Sequence, residues 1–406
     1  MLEYLKEYFD YKAMMICLCL VAVGVLSVYS ATYDVGAAAA FERQLIWAGL
    51  GLVALLVAAF FPLKTLQRVA LPMYVVMIVI LCAILLVGHT VAGSKSWFGV
   101  AKGFGGQPSE FAKVTTILAL AAFLARRSIS LSNPKHLILT IGIVALPMVL
   151  ILAQPDLGTA VVFFLMLIPV LYWAGASNFV LAAIFAPIIA GAGALFGTLV
   201  FLVSLALSGA MLYTARQNRF AAAVAFALTL AVGLSVQAVY ERLPAYQQKR
   251  ISTFLDPGSE QKGAGYNVYQ SKVAIGSGGF LGKGYLQGTQ TQLNFIPEQW
   301  TDFIFCVPGE EFGFIGASLV LGLFAGLLFH GVNVASLSKN KFASAASMGI
   351  TGVFGVHVLI NIGMSMGLLP VIGIPLPFLS YGGSALIANM TMVGLLMNFY
   401  ANRKEH

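Results

Sequence analysis

The chain has 406 residues, of which 59% are hydrophobic and only 9% are charged, and its formal net charge is +8. Together with a mean hydropathy of +0.90, these values exclude a soluble globular domain and indicate a polytopic membrane protein. We attribute the positive charge to membrane topology and predict no binding to nucleic acid.

Apolar segments long enough to cross a hydrocarbon core of about 30 Å recur along the whole chain. We predict about twelve transmembrane helices, because the segments lack the alternation typical of barrel strands. The seventh and eighth are separated only around Gly197, so they could also form one kinked span. The predicted spans are residues 13–31, 43–61, 70–88, 110–125, 136–153, 158–174, 178–195, 197–214, 220–240, 303–330, 343–364 and 377–400.

The distribution of lysine and arginine predicts the orientation of these spans. If both termini are cytoplasmic, thirteen basic residues fall on the cytoplasmic side and four fall in or near the short outer loops, as the positive-inside rule requires. The first twelve residues mix acidic with basic side chains, unlike the start of a signal peptide. We therefore predict an uncleaved first span and cytoplasmic termini.

One long polar segment, about residues 241–302, interrupts the hydrophobic pattern and is predicted to lie outside the cytoplasm. Its many aromatic and aliphatic residues predict an ordered loop that packs on the membrane or on the helices. The glycine-rich run 276–284 does not have the spacing of a Walker A motif. We interpret it as turns that bring the backbone close to a helix or a ligand.

The motifs of soluble enzymes and metal sites are not found. His89, His330 and His357 are isolated in the sequence, and we interpret each as a hydrogen-bonded or interfacial side chain. Metal or redox spacing does not occur among the cysteines, and we predict no metal site formed by the protein alone. The cysteines are Cys17, Cys19, Cys82 and Cys306.

Three short polar motifs stand at the ends of hydrophobic spans on the predicted outer side. They are QPSE at 107–110 with Lys113, QPDLGT at 154–159 and SYGGS at 380–384, and Asp302 lies on the same side. Ionisable groups near the bilayer are costly, so we interpret them first as functional. Together they predict a cavity for the polar head group of a lipid, although each motif alone could cap a helix or form a turn.

The run 263–316, GAGYNVYQSKVAIGSGGFLGKGYLQGTQTQLNFIPEQWTDFIFCVPGEEFGFIG, resembles the SEDS family (shape, elongation, division and sporulation), in particular its RodA branch. The segments QPSE, QPDLGT and PLPFLSYGGS resemble the same family, and GTQTQL is similar to its elongation branch. The resemblance implies one all-α SEDS membrane domain over residues 1–406, in the bacterial inner membrane. Residues 178–240 exceed the usual ten-helix core and predict an additional helix pair.

The resemblance also implies a function. Members of the family are peptidoglycan glycosyltransferases that polymerise lipid II, an undecaprenyl diphosphate-linked disaccharide peptide. They work with a class B penicillin-binding protein, a transpeptidase, and with other membrane proteins of an elongation complex. Two alternatives stay open: a flippase or other carrier of lipid-linked substrates, and a scaffold for the transpeptidase. A division-type, FtsW-like paralogue is a further alternative within the family.

The acid of the family's TDFIF motif, here Asp302, is the catalytic residue that the resemblance implies. Inverting transfer needs a base to take the proton from the attacking C4 hydroxyl, and cations would stabilise the departing diphosphate. A divalent cation, Mg²⁺ or Mn²⁺, is left open. Substrate-binding candidates are the cations Lys113, Arg250 and Lys272, the sugar-stacking Trp97, and the polar cavity residues Glu110, Asp156 and Ser384.

For Glu110 and Asp156, structural roles such as pairing with Lys113 or capping a helix are equal alternatives. The sequence departs from the family at two positions. Asn294 stands where relatives commonly have an acid, so a second carboxylate is not assumed there. Trp300 replaces a histidine often found two residues before the catalytic aspartate.

Overall fold

The computed structural model describes residues 9–33, 38–91, 94–99, 105–216, 218–243, 245–255, 264–293, 295–297 and 299–405. The predicted all-α membrane fold is confirmed: among the described residues, ten helices are long and apolar enough to span a membrane. Two further predicted spans correspond to helices of 17 residues, Pro108–Leu124 and Leu157–Trp173. The count of twelve spans therefore stays a prediction.

The chain forms two compact units. The first contains Met1–Ser130, Lys135–Val170 and Tyr266–His406, and the second contains Leu131–Pro134 and Leu171–Gly265. The helices of the first unit are α1 (Tyr11–Tyr33), α2 (Ala38–Phe60), α3 (Leu63–Val87), α4 (Pro108–Leu124), α5 (Pro134–Leu152), α6 (Leu157–Trp173), α11 (Ala264–Ser277), α12 (Thr289–Gln292), α13 (Cys306–Glu311), α14 (Gly313–Leu337), α15 (Lys341–Ser365) and α16 (Gly383–Ala401).

The helices of the second unit are α7 (Asn178–Leu195), α8 (Thr198–Ala215), α9 (Arg219–Arg242) and α10 (Ala245–Leu255). Helices α7 and α8 are separate, because Gly197 adopts a φ of 108° that ends the helical path. Ser208 donates a hydrogen bond to the carbonyl oxygen of Ala186 over 3.1 Å, which ties α8 to α7. The proposal that residues 178–240 are an insertion remains a prediction.

A small antiparallel sheet, which was not predicted from the sequence, precedes α4. Strand β1 (His89–Val91) pairs with β2 (Ser94–Gly99), which pairs with β3 (Gly105–Gly106). His89 lies opposite Trp97 in the first pair. The sheet therefore brings the predicted sugar-stacking residue to the loop that enters α4.

The prediction of one continuous span over residues 303–330 is wrong. The chain forms turns up to Phe305, then the short helix α13, and a new helix that starts at Gly313. Gly313 has a φ of 60°, which breaks the α-helix between α13 and α14. Within this stretch α14 is the helix that is long and apolar enough to span a membrane.

The long segment 241–302 was predicted to be an ordered loop, and its described residues are helical in part. Its residues Ala274, Thr291 and Ile296 are fully buried, and Gln299 donates to the carbonyl oxygen of Ala31 over 2.8 Å. The segment from α11 onward is thus packed on the first unit.

The glycine-rich run covers the junction of α13 and α14. A Cβ atom at Gly278 would lie 2.1 Å from the carbonyl oxygen of Gly309, and one at Gly282 would lie 2.1 Å from that of Glu311. Only glycine permits this approach. The prediction that the run brings the backbone against a helix is confirmed.

Side-chain contacts identify the two ends of the first unit. At one end His330 pairs with Asp10, and Asn398 donates to the carbonyl oxygen of Phe61 over 2.6 Å. At the other end Gln299 contacts Ala31. Because α1 has 23 residues, these ends are separated by about 35 Å.

Candidate functional site

Asp302 lies in the turns between α12 and α13, at the end of the first unit opposite Asp10, and its side chain is half-buried. Three consecutive backbone carbonyls hold this turn. Those of Trp300, Thr301 and Asp302 accept hydrogen bonds from three different donors, over 2.8, 2.6 and 2.8 Å. The donors are the Tyr381 N–H, the Ser380 hydroxyl and the Asn361 amide.

Asn361 and Ser380 each make a second bond to the segment 374–380. The other N–H of the Asn361 amide donates to the carbonyl oxygen of Ile374 over 2.8 Å, and the Ser380 hydroxyl accepts from the Leu376 N–H over 2.8 Å. Asn361 is fully buried. The turn that carries Asp302 is therefore fixed to α15 and to the SYGGS motif at once.

The segment 374–380 holds a strained residue. Phe378 has a φ of 65°, a conformation that is costly for a residue with a bulky side chain. Its ring is buried and lies 5.5 Å from that of Phe354, measured between centroids. Packing and the bonds of Ser380 together hold this conformation beside Asp302.

A buried charged cluster lies on the same face of α15, one turn before Asn361. The Lys113 ammonium is fully buried and lies 2.8 Å from a carboxylate oxygen of Glu110 and 3.0 Å from His357 Nε2. His357 Nδ1 lies 2.9 Å from the carbonyl oxygen of Pro375. If Nδ1 carries the proton, Nε2 accepts from Lys113, so all three side chains are paired.

This cluster bears on two predicted substrate-binding residues. The pairing of Glu110 with Lys113, one of the structural roles that the sequence allows, is observed. A buried charge that already has partners is poorly placed to meet a diphosphate directly. Direct contact between Lys113 and the leaving group stays a prediction.

The three polar motifs meet through Gln107. Its backbone N–H donates to the Ser384 hydroxyl over 3.0 Å, and its side chain donates to Asp156 Oδ2 over 3.0 Å. Asp156 also accepts from the backbone N–H of Thr159 over 3.0 Å and from its hydroxyl over 2.9 Å. Asp156 thus caps α6 and at the same time joins the QPSE and SYGGS motifs.

The other predicted substrate-binding residues lie in different parts of the molecule. Lys272 is exposed on α11, and its Cδ would lie 3.2 Å from a Cβ atom at Gly367. Arg250 is partly exposed on α10 of the second unit. The side chain of Trp97 and the whole of Asn294 lie outside the described residues. Trp300 contributes its carbonyl oxygen to the hydrogen bonds around Asp302.

Glu310 follows Asp302 closely but has a structural role. It accepts hydrogen bonds from Lys283 Nζ over 2.7 Å, from the Gln290 N–H over 2.9 Å and from the Thr291 N–H over 3.0 Å. Burial alone would raise the pKa of Glu310, but these hydrogen bonds outweigh it and the pKa is lowered. Glu310 therefore anchors α12 as a carboxylate.

For Glu311 burial has a larger effect on the pKa than hydrogen bonding. The hydroxyl of Ser30 donates to it, and Gln292 donates to the same oxygen over 3.3 Å. Burial nevertheless prevails and raises the pKa of Glu311. Both glutamates hold the loop to the helices, which leaves Asp302 as the half-exposed acid of the TDFIFCVPGEE run.

Asn361 and Ser380 were missed as neighbours of Asp302, since they lie 59 and 78 positions further along the chain. An asparagine inside a membrane helix is a signal that could have found the first. Within the part of the chain that the structure describes, no three His, Cys, Asp or Glu side chains could together hold a metal ion.

A family model described as "cell cycle protein", that of FtsW, RodA and SpoVE, matches residues 8–222 and 194–405 of the chain. The peptidoglycan glycosyltransferase MrdB of Escherichia coli (strain K12) is 34% identical over 402 residues, which cover 98% of this chain and 95% of that protein. The peptidoglycan glycosyltransferase RodA of Treponema pallidum (strain Nichols) is 34% identical over 432 residues, which cover 97% of this chain and 98% of that protein.

A solved structure is also similar along the whole chain. It comes from a study of how a peptidoglycan synthase complex coordinates polymerisation and crosslinking. The superposition has a TM-score of 0.74 with 28% sequence identity, and it covers 98% of this chain and 99% of the other. The similarity therefore includes both compact units and the turn that carries Asp302.

Proposed function

The chain belongs to the FtsW, RodA and SpoVE family of cell cycle proteins, and from this membership we propose that it is a peptidoglycan glycosyltransferase of the elongation type. Two relatives with full-length similarity carry that activity in their names. The substrate in this proposal is lipid II, and the product is a growing glycan strand. The protein acts in the bacterial inner membrane, with both termini in the cytoplasm.

In the proposed reaction the Asp302 carboxylate acts as general base. It accepts the proton of the acceptor sugar's C4 hydroxyl while that oxygen attacks the anomeric carbon of the donor. A new C–O bond forms as the bond to the diphosphate breaks, and the undecaprenyl diphosphate leaves with the electron pair. Attack opposite to the leaving group inverts the anomeric carbon.

The observation that carries the proposal is the way the Asp302 turn is held. Three successive carbonyls are bonded, over 2.6 to 2.8 Å, to donors that precede α16 or lie on α15. The backbone is thus fixed while the side chain remains half-exposed. A general base needs such a position, because its oxygen must meet a hydroxyl within hydrogen-bond distance.

The neighbouring motifs support a substrate-binding role. Gln107, Asp156 and Ser384 form one connected polar group, which offers hydroxyl, amide and carboxylate groups to a sugar or peptide. Lys272 is exposed and available to a departing diphosphate, and Arg250 is a further cation candidate for that role. Trp97 is assigned to substrate binding by resemblance. Glu110 and Lys113 support the site from the buried side.

A carrier of lipid II is the second candidate function. The fully buried Lys113 with its partners Glu110 and His357 favours it, because ionisable residues inside a helical bundle often mark a transport pathway. A carrier needs no general base. The two candidates therefore differ in what happens when Asp302 is changed.

The partner in this proposal is a class B penicillin-binding protein. The similar chain of known structure belongs to a synthase complex that couples polymerisation to crosslinking. A polymerase that releases strands next to a transpeptidase supplies it with substrate. Elongation-complex membrane proteins would surround this pair.

The test uses the purified protein with its transpeptidase partner and labelled lipid II, and products are sized on a gel. Asp302→Ala should abolish glycan strands while the variant stays folded and bound to its partner. Glu405→Gln, which changes an exposed carboxylate near the C-terminus, is the matched control and should polymerise normally. Strands made by Asp302→Ala would reject Asp302 as the proposed base.

A further inference from the structure

Helices α8 and α9 form a hairpin, and the topology predicted from the basic residues places the link between them at a membrane surface. Both are apolar enough to cross a membrane, and only residues 216–218 separate them. Arg216 follows the last residue of α8, and Arg219 is the first residue of α9. Two guanidinium groups therefore flank the point where the hairpin leaves the hydrocarbon.

A cavity of about 550 Å³ lies between these helices, and both arginines line it. Below them, towards the hydrocarbon, the lining consists mainly of apolar residues, among them Gly209, Ala222 and Phe226. The cavity thus has a cationic rim and an apolar floor. That combination matches the phosphate and the acyl chain of one lipid molecule.

Arg216 is held at the rim in a defined orientation. Its guanidinium lies 3.4 Å from the centroid of the Tyr213 ring, and one of its nitrogens donates to the carbonyl oxygen of the same residue over 2.7 Å. Stacking on an aromatic face and bonding to a helix C-terminus both stabilise a cation. A fixed guanidinium loses less freedom when it binds a phosphate.

The floor of the cavity belongs to the hydrophobic core of the second unit. Leu212, which lines the cavity, is buried against Ala182 and Ala186 of α7, and Phe226 packs on this cluster. At Gly209 a Cβ atom would lie 3.0 Å from the Phe226 ring. The absence of a side chain at Gly209 therefore helps to keep the groove open.

We propose that this cavity binds an anionic glycerophospholipid, with the phosphate between Arg216 and Arg219 and an acyl chain along Gly209, Ala222 and Phe226. Basic residues between transmembrane helices attract anionic head groups on the cytoplasmic side, where the topology predicted above places this turn. The proposal gives a function to helices of the segment 178–240. It does not depend on the proposed glycosyltransferase reaction.

The test is native mass spectrometry of the full-length protein, which counts lipid molecules retained after exposure to phosphatidylglycerol or phosphatidylcholine. Phosphatidylglycerol should be retained preferentially. The double variant Arg216→Gln with Arg219→Gln should reduce its affinity about twenty-five-fold, since each surface cation contributes about a factor of five. Glycerol 3-phosphate should not displace the lipid, because it lacks the acyl chain.

Two further variants separate the cavity from general surface charge. Ala222→Leu fills the groove without changing any charge, and it should also lower phosphatidylglycerol retention. Arg126→Gln with Arg127→Gln changes an arginine pair that does not line the cavity, and it should leave retention unchanged. Circular dichroism confirms that each variant keeps its helices.

Several results would overturn the proposal, and three of them concern charge. They are equal retention of both lipids by the unchanged protein, full retention of phosphatidylglycerol in the Arg216 and Arg219 double variant, and an equal loss in the Arg126 and Arg127 control. Displacement by glycerol 3-phosphate would assign the rim to a soluble phosphate instead. Undiminished retention in Ala222→Leu would place the lipid elsewhere.

Discussion

The side-chain amide of Asn361 donates to the backbone carbonyl of Asp302 over 2.8 Å, and its second N–H donates to the carbonyl of Ile374 over 2.8 Å. One buried amide in α15 therefore fixes both the turn that carries the proposed base and the segment packed against it. A general base must be held to within a fraction of an ångström. Asn361 is a positioning residue in this account.

Asn361→Ala removes both donors and leaves two carbonyl oxygens without this partner. We expect kcat for glycan polymerisation to fall about tenfold to hundredfold, because the Asp302 turn shifts relative to the substrate. KM for lipid II should change little, since Asn361 does not reach the surface. Steady-state kinetics at several lipid II concentrations separate the two effects. A wild-type kcat in the folded variant would contradict this role.

The Ser380 hydroxyl donates to the carbonyl oxygen of Thr301, the residue before Asp302. Replacing Ser380 tests how much this hydrogen bond stabilises the turn. Ser380→Ala removes the donor to Thr301 and the acceptor for the Leu376 N–H, so we expect unfolding free energy to fall by about 1 to 3 kcal/mol. Ser380→Thr keeps the hydroxyl and should recover most of the loss. Thermal unfolding in detergent provides the measurement. Equal stabilities for the alanine variant and the unchanged protein would show that the hydrogen bonds of Ser380 do not stabilise the turn.

Because Glu110 and Lys113 form a buried ion pair, we expect their substitutions to have non-additive effects on the free energy of unfolding. Glu110→Gln or Lys113→Met alone leaves one buried charge with less compensation, and each should destabilise the protein by about 3 to 5 kcal/mol. The double variant should lose less than the sum of the two. A double-mutant cycle from denaturant unfolding checks this coupling. Strict additivity would show that the 2.8 Å contact contributes no coupling.

The lowered pKa of Glu310 predicts that the folded protein loses stability in acid. Its pKa is lowered in the folded protein from the ordinary value of 4.5, so its stabilising contribution is fully present above pH 4.5 and is lost as the pH falls through the folded value. Glu310→Gln should therefore flatten the decline of melting temperature below pH 4.5. Thermal unfolding as a function of pH measures the slope.

Glu311 is the control for that experiment because its pKa is raised. Its contribution is present below pH 4.5 and is lost as the pH rises through the folded value. Glu311→Gln should therefore reduce the fall in melting temperature that occurs as the pH rises above 4.5. Identical pH profiles for the two variants would contradict the assignment of these glutamates.

Much of the fold could be predicted from the sequence because a bilayer imposes length and polarity on each helix. The span predicted over 178–195 coincides with α7, and that over 43–61 corresponds to α2. The length of an apolar run and the bias of basic residues are local properties, so they can be read from the sequence. The grouping of the QPSE, QPDLGT and SYGGS motifs followed from topology, and Gln107 joins all three.

The features that escaped prediction depend on contacts between distant parts of the chain. The break between α13 and α14 requires a φ of 60° at Gly313. The glycine-rich run 276–284 packs against this break only when the two parts of the chain are folded together. The sheet that contains Trp97 pairs short strands with little hydrophobic alternation. The bonds of Asn361 and Ser380 to the Asp302 turn join segments separated by tens of residues, which no local pattern records.

The most direct test of the central claim is the rate of lipid II polymerisation by Asp302→Asn, measured with lipid II binding in the same preparation. The amide keeps the size of the carboxylate but cannot accept the proton, so the account predicts a rate at least about a hundredfold lower with binding nearly unchanged. Polymerisation at the wild-type rate by a variant that binds lipid II normally would contradict Asp302 as the general base.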